Sequence, residues 1–272
     1  MKLRNSYAYI LMIAVVGVLI AGVAAAGDWE VKEDSKWCEN DHSDGDRYCE
    51  VREITIKSGR DVVRVDGAAN GGISVEGWDR DEIQIQARVN VWTRDGEDDA
   101  VEITSKIQID TDGTIHATGP KQRNREGWSV SYRIMVPKES NLDLETNNGG
   151  ISVTDVEGEI EAEAMNGGMS LTRLAGDVKA HTTNGGLDVE LGGERWKGDG
   201  LDATTTNGGV TLEIPKNYNA ELETGTVNGS VHVDFPITVQ GKISKKLEAT
   251  LGDGGARVRV RTTNGGVHLR RG

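Results

Sequence analysis

The stretch "TTNGG" occurs three times in this sequence, at Thr182–Gly186, Thr205–Gly209 and Thr262–Gly266. Looser copies surround it in "ETNNGGISV", "AMNGGMSL" and "TVNGSVHV". A recurring motif indicates that one structural unit is used several times along the chain. The corner Asn of the successive copies is Asn148, Asn166, Asn184, Asn207, Asn228 and Asn264.

The residues around each corner Asn alternate between apolar and polar. The Asn184 copy, for example, carries Val178 and Ala180 before the Asn, and Leu187 and Val189 after it. A period of two is typical of a strand with one buried face, here on both sides of the corner. Asn148, Asn166 and Asn184 are spaced 18 residues apart. The last two corner residues, Asn228 and Asn264, are 36 residues apart, which is twice that length.

The pattern predicts an all-β fold, a β-solenoid of about 18-residue rungs with two strands each. An open sheet or a sandwich is the alternative, because periodicity alone does not fix how strands connect. Asn and Gly enter the left-handed backbone region most cheaply, so we expect that conformation at the corners. If the rungs stack in sequence order, the last repeat lies at the end of the solenoid.

The part before the regular repeats is expected to be an irregular β portion. "NGGISVEGWDRDEIQIQARV" (Asn70–Val89) follows the rung pattern, with Ile83, Ile85 and Ala87 as its second strand if one corner is longer. "AVEITSKIQIDTDGTIHATG" (Ala100–Gly119) and "GWSVSYRIMVPKES" also alternate and predict further strands. "RDGEDD" and "GPKQRNREG" between them predict exposed loops.

The N-terminus predicts export. Two basic residues, a long apolar run and the small residues ending at Ala26 are typical of a secretory signal peptide. The apolar run is also long enough to remain as an uncleaved membrane anchor. We therefore divide the chain into residues 1–26 (signal or anchor), 27–60 (segment with a disulfide loop), 61–140 (irregular β portion) and 141–272 (regular rungs).

The two cysteines, Cys38 and Cys49, are expected to form a disulfide, because an exported chain meets an oxidising compartment. Closing so short a loop contributes about 3 kcal/mol if it is unstrained. A redox-active pair is the alternative, but it normally has a C-x-x-C spacing. The pair thus predicts a structural staple.

Composition limits the function classes. The formal net charge of −13 argues against a nucleic-acid surface, which depends on clustered Lys and Arg. The chain has 36 Gly but one Phe, which suits a thin aliphatic core. The sequence therefore predicts no nucleic-acid partner.

The repeats "LDLETNNGGISVTDVEGEIEAEAMNGGMSLTRLAGDVKAHTTNGGLDVEL", together with "TIHATG" and "MVPKES" upstream, resemble the bacterial putative-adhesin family of Gly-rich β-repeat domains. The resemblance covers roughly residues 62–272. It implies an exported β-solenoid-like domain at the envelope or surface. It implies no catalytic residue.

Catalytic and metal motifs are weak. The five histidines stand in no nucleophile motif and are expected on the surface, with His181, His232 and His268 pointing outward on different rungs. An acidic ladder of Asp143, Glu145, Glu161 and Glu163 could suit glycoside hydrolysis, but surface acids are common in an acidic chain. The acidic loop around His42 does not match an EF-hand. We expect no catalytic site, no metal and no cofactor.

Two features differ between the repeats and are the candidate ligand-binding residues. Trp196 lies in "GGERWKGDG", inside a longer rung, where an insertion can form a binding loop; the alternative is that its ring covers a rung edge. The last repeat carries Arg257, Arg259 and Arg261 without any acid. We expect this basic rung to cap the solenoid, self-associate or dock onto an acidic partner.

The sequence thus predicts a non-enzymatic binding or scaffolding module of the cell envelope, in the periplasm or at the cell surface. Its expected partner is a protein or glycan of the envelope. A carbohydrate-active solenoid enzyme and a membrane-anchored stress or sensory component are the alternatives.

Overall fold

The computed structural model describes residues 29–32, 36–38, 47–59, 61–123, 126–236 and 245–272. The expected signal segment, residues 1–26, and the acidic loop with His42 lie outside the described residues. Within these described ranges, no helix is long and apolar enough to cross a bilayer.

Strands of 3 to 11 residues make up most of the part of the chain that the structure describes. The N-terminal portion contains β1 (Glu30–Lys32), β2 (Arg47–Lys57), β3 (Val63–Asp66), β4 (Ile73–Trp78), β5 (Glu82–Trp92), α1 (Glu97–Ser105), β6 (Gln108–Asp110), β7 (Thr114–Thr118) and β8 (Gly127–Pro137). The repeats contain β9 (Leu142–Thr146), β10 (Ile151–Thr154), β11 (Glu157–Asn166), β12 (Met169–Thr172), β13 (Ala175–Asn184), β14 (Leu187–Glu190), β15 (Gly200–Asn207), β16 (Val210–Ile214), β17 (Ala220–Asn228), β18 (Val231–Val233), β19 (Lys246–Leu251), β20 (Arg257–Asn264) and β21 (Val267–Arg271).

These strands form two sheets. Sheet 1 has the order β1-β2-β5-β8-β4-β10-β12-β14-β16-β21-β18, and sheet 2 has the order β19-β17-β20-β15-β13-β11-β9-β3-β7-β6. From β9 to β18, successive strands alternate between the sheets, and equivalent strands pair in parallel and in register. This confirms the predicted all-β, solenoid-like fold.

The core lies between the two sheets and is built from columns of equivalent aliphatic residues. In sheet 2, Ile160, Val178, Leu201 and Val258 are successive Cα partners, and all are buried. Face-to-face sheets lie only about 10 Å apart, so small and branched side chains fill the space between them. The single Phe of the sequence is consistent with so thin a core.

The first glycine of each corner is required by the distance between rungs. A Cβ atom at Gly185 would overlap the carbonyl group of Gly167, and one at Gly208 would overlap that of Gly185. The second glycine is less restricted: the nearest atom to a Cβ at Gly186 is 3.7 Å away. In the copy at Asn228, Ser230 occupies the position of this second glycine, where a side chain has room.

Side chains connect the corners from rung to rung. Asn184 Nδ2 donates to Asn166 Oδ1 at 2.8 Å, and Asn207 Nδ2 donates to Asn184 Oδ1 at 2.9 Å. The buried Thr182 hydroxyl donates to the carbonyl O of Gly167 at 2.7 Å. The buried Thr hydroxyl therefore satisfies a carbonyl group between the rungs, and the exposed Asn side chains link the corners to each other.

The left-handed backbone expected at the corner Asn is not observed there. Among the described residues, the non-glycine positions with positive φ include Asp155 (φ 56°) and Arg173 (φ 51°), which occupy the opposite corner of two rungs. Arg173 donates two hydrogen bonds of 2.8 and 2.7 Å to the Asp155 carboxylate. These bonds hold the pKa of Asp155 below its usual value.

The rungs do not stack in sequence order. Strand β20 lies between β15 and β17, and β21 lies between β16 and β18. The last 36-residue spacing is therefore not two rungs, since β19 within it pairs antiparallel with β17 at the edge of sheet 2. The expectation that the last repeat ends the stack is wrong.

Charge favours this order. Arg259 on β20 is the Cα partner of Asp202 on one side and Glu223 on the other, and its Nη1 lies 2.7 Å from Asp202 Oδ2. If β17 paired directly with β15, Glu223 would stand opposite Asp202 in the same register. Like charges at opposed positions destabilise a sheet.

The N-terminal portion departs from the expected rung pattern at β5. The sequence predicts Ile83, Ile85 and Ala87 in the second strand of a rung, but β5 remains in sheet 1 and pairs antiparallel with β2 and β8. All three strands are 11 residues long, which allows a full antiparallel ladder. The result is a three-stranded extension of sheet 1.

The expectation that Ala100–Gly119 consists of alternating strands is wrong for its first part, which belongs to helix α1. Acidic residues occupy the first turn of the helix, where they favour its N-terminus. Ala100, Ile103 and Thr104, spaced as on one face of a helix, are its buried residues. The second part forms β6 and β7 as expected.

The corner glycines give a first prediction. Gly185→Ala should lower the free energy of unfolding by about 2 kcal/mol or more, because the new Cβ overlaps backbone atoms that cannot move independently. The matched variant Gly186→Ala should change it by less than about 1 kcal/mol. Urea denaturation of both variants measures the difference, and equal effects would show that rung spacing does not select the glycine.

The rung order gives a second prediction. Arg259→Glu should lower the free energy of unfolding by about 1–2 kcal/mol, because it places three carboxylates side by side. The same charge change at the exposed corner residue Lys216 should have an effect below about 0.5 kcal/mol. The deficit of Arg259→Glu should shrink in high salt. A salt-independent deficit, or one equal to that of Lys216→Glu, would contradict the electrostatic explanation.

Candidate binding groove

Small polar side chains form a row across the outward face of sheet 1, four residues after each corner Asn. Ser74, Ser152 and Ser170 are Cα partners on β4, β10 and β12, and Asp188 on β14 continues the row. Adjacent strands lie about 4.8 Å apart, so the three hydroxyls span roughly 10 Å. The serines are partly exposed and Asp188 is exposed, so a ligand on this face can contact all four.

Two arginines close one end of the row. Arg133 on β8 is the Cα partner of Ser74, and Arg88 on β5 is the partner of Ser131. Their Cζ atoms lie 3.9 and 5.2 Å from the centroid of the Trp37 ring. Cation–π contacts of this kind restrict both guanidinium groups to defined positions beside the groove.

The predicted disulfide holds Trp37 in place. Cys38 and Cys49 are bonded, with an S–S distance of 2.01 Å, and both are buried against Val51. Cys49 belongs to β2, so the bond attaches Trp37 to sheet 1. Arg88 Nη1 also donates to the carbonyl O of Trp37 at 3.2 Å. The staple therefore positions the wall of the groove.

Together these residues line an open depression of about 510 Å³ that runs from Trp37 to Asp188. Its floor offers hydroxyl donors and acceptors, one end offers cationic donors, and the other offers a carboxylate. Asp188 is the one carboxylate among the described lining residues. These groups give the groove both hydrogen-bond donors and acceptors for a polar ligand.

Trp196 is not in this groove. Its ring is 6% exposed and packs in the main core, and Nε1 donates to the carbonyl O of Gly176 at 3.0 Å. The longer rung therefore carries an aromatic side chain into the core instead of presenting it to solvent. This burial fits the alternative in which the Trp196 ring covers a rung edge, and it leaves little of the ring for contact with a ligand.

The basic repeat lies on the opposite side of the molecule, in sheet 2. Arg261 and Arg257 approach Glu223 at 3.2 and 4.0 Å, while Arg259 contacts Asp202. These arginines neutralise acidic side chains on neighbouring strands of the sheet. They do not lie beside Trp196. The expected cap at the end of the solenoid is instead formed in sheet 2 by β19.

The acidic ladder is also on sheet 2. Asp143 and Glu145 on β9 are Cα partners of Glu161 and Glu163 on β11, and Asp143 pairs with Arg64 at 3.3 Å. These side chains lie on a partly or fully exposed outward face. The ladder is therefore separate from the groove.

Sequence reasoning missed the groove, although part of the signal was present. Ser recurs four residues after the corner Asn in the copies that begin at Asn70, Asn148 and Asn166. Trp37, Arg88 and Arg133 come from outside the regular repeats. The parallel pairing of β8 with β4 brings Arg133 to Ser74, the antiparallel pairing of β5 with β8 adds Arg88, and the disulfide adds Trp37. No local pattern indicates that arrangement.

The chain is similar to one known family and to several solved structures. A family described as Toastrack DUF4097 matches residues 69–270. No curated protein matches the chain. Among solved structures, the chain is similar to a putative cell adhesion protein from Clostridium sporogenes ATCC 15579, at 12% identity and a TM-score of 0.45, over 82% of this chain and 100% of that one. It is also similar to a putative adhesin from Bacteroides fragilis NCTC 9343, at 12% identity and a TM-score of 0.36, over 81% and 96% of the two chains.

The family match spans most of the 272 residues and covers the corners, the serine row and all the regular rungs. It confirms the resemblance that the repeated corners indicate. The chain belongs to the Toastrack DUF4097 family.

Proposed function

We propose that this chain is an exported, non-enzymatic binding module of the bacterial cell envelope, and that its groove binds an extended glycan that carries a carboxylate. The observation that carries the proposal is the row of in-register serines that ends against Arg133. A linear ligand lying across the strands would meet one hydroxyl at every strand and a guanidinium at the end.

The chemistry of the face favours a glycan over a peptide. The backbone groups of these strands are already paired within sheet 1, and an extended peptide would instead add to an exposed sheet edge. Side-chain hydroxyls both donate and accept, which matches the hydroxyl groups of a sugar. An arginine recognises a carboxylate through two parallel hydrogen bonds. A sugar chain with a uronic acid offers both kinds of group.

Two observations support export. The Cys38–Cys49 disulfide is typical of an oxidising compartment. The first 26 residues have the composition of a signal peptide. The disulfide also contributes to the groove by fixing Trp37, so export and binding are structurally connected in this proposal.

Isothermal titration with a uronic-acid oligosaccharide, compared with the neutral oligosaccharide of the same length, tests the ligand. Arg133→Ala should weaken binding of the acidic ligand at least about tenfold, a loss of about 1.4 kcal/mol, and remove the preference for it. Ser152→Leu should block both ligands by filling the floor. Arg270→Ala is the matched control, since Arg270 is exposed on the outward face of the same sheet.

Full binding by Arg133→Ala, or an equal loss in Arg270→Ala, would place the ligand elsewhere. Absence of binding to any acidic glycan by the folded wild-type chain would reject the glycan proposal. Capture of a protein partner by both the wild-type chain and the Ser152→Leu variant would also reject the glycan proposal.

Export has its own test. Mass spectrometry of the chain purified from its native envelope should find a mature N-terminus at Gly27, after removal of the segment ending at Ala26. Retention of residues 1–26 would instead indicate the membrane-anchored form. Recovery of the intact chain from the cytoplasm with reduced cysteines would contradict export.

A further inference from the structure

The non-sequential rung order brings two histidines together at one end of sheet 1. His232 on β18 and His268 on β21 are Cα partners, although 36 residues separate them. Their ring centroids lie 5.1 Å apart. The sequence predicts that these residues point outward on different rungs, which is correct, but it does not reveal that the two rungs are adjacent.

A carboxylate completes the cluster. Asp234 Oδ2 lies 2.7 Å from His268 Nε2, and Asp234 Oδ1 lies 2.9 Å from His232 Nε2. One potential ligand atom from each of the three residues lies within 4.8 Å of the others. The three side chains therefore converge on one point and remain accessible to solvent.

The backbone around Asp234 is fixed on β21. The amide N–H of Asp234 donates to the carbonyl O of Leu269 at 3.1 Å. The next residue, Phe235, lies under the guanidinium of Arg271, with Cζ 4.2 Å from the ring centroid. These contacts hold the carboxylate opposite the two imidazoles before any ligand binds.

We propose that His232, Asp234 and His268 form a binding site for a divalent transition-metal ion, with Zn²⁺ as the best fit. Two imidazoles and one carboxylate are a typical zinc ligand set, and water can occupy the open position. In a tetrahedral site with bonds of about 2.0–2.1 Å, two ligand atoms lie roughly 3.3 Å apart. The two contacts between Asp234 and the histidines need to open by about half an ångström to reach that geometry, and ligand atoms that lie up to 4.8 Å apart need to approach each other.

The site also has a structural consequence. Strand β18 has three residues and is the edge strand of sheet 1. An ion bound by His232 and Asp234 on one side and His268 on the other would connect this edge to β21. Because the ion binds the folded chain, it should stabilise the fold by mass action. The proposal is independent of the groove and its ligand.

Equilibrium dialysis of the untagged mature chain against Zn²⁺ tests the site. We expect one Zn²⁺ per chain and a higher melting temperature with Zn²⁺ that EDTA reverses. His232→Ala, His268→Ala and Asp234→Ala should each weaken binding at least tenfold. Co²⁺ in the wild-type chain should show the ligand-field absorption of a four- or five-coordinate site.

Two variants serve as controls. His181→Ala removes a histidine of another rung, which contacts Thr204, and should leave binding unchanged. His42→Ala tests the acidic loop and should also leave it unchanged. Circular dichroism checks that each variant is folded. His268→Gln removes the imidazole but keeps a hydrogen-bonding group beside Asp234. It therefore distinguishes the loss of a metal ligand from unfolding of the rung. Absence of stoichiometric Zn²⁺ binding, undiminished binding by folded His268→Gln, or loss only in His42→Ala would overturn the proposal.

Discussion

Each regular rung is positioned by the contact between its first corner glycine and the carbonyl group of the glycine one rung away. This contact leaves no room for a side chain, so the corner has no Cβ at that position. The Asn before the glycine and the Thr two residues further back then bind the polar groups of the neighbouring rung. The residues of the repeated motif therefore recur because they pack one rung against the next. The backbone conformation of a single turn does not explain why they recur.

The tight contact fixes the spacing of the rungs but not their order. The inward residues of the different rungs are similar, so several orders would fill the core almost equally well. The outward charges are not similar. The Arg259 repeat separates Asp202 from Glu223, and this arrangement removes a repulsion that sequential stacking would create. Charges on the surface thus favour the observed order of the last rungs, because long side chains meet across adjacent strands.

The spacing of the rungs follows from local residues, whereas their order depends on distant ones, and this difference explains what the sequence could predict. The alternating strands, the buried columns and the disulfide follow from local patterns or from the two available cysteines. Helix α1 was hidden because its apolar residues also fit an alternating pattern over a few positions. The position of β20 depends on pairings between residues far apart in the chain, as does the meeting of Trp37 with Arg133. Trp196 shows a further limit, since a longer rung indicates an insertion but not whether its side chains turn outward or into the core.

The position four residues after each corner Asn combines these constraints. It points outward in every rung, so the core does not select its residue, yet the register places all copies in one row. Along the order of sheet 1 the row reads Ser74, Ser152, Ser170, Asp188, Thr211, His268 and His232. One structural position thus carries hydroxyls at one end, where the groove lies, and imidazoles at the other, where the proposed metal site lies. A stack of nearly identical rungs can in this way hold different chemistry on one face, because each substitution changes the surface without changing the packing that defines the rung.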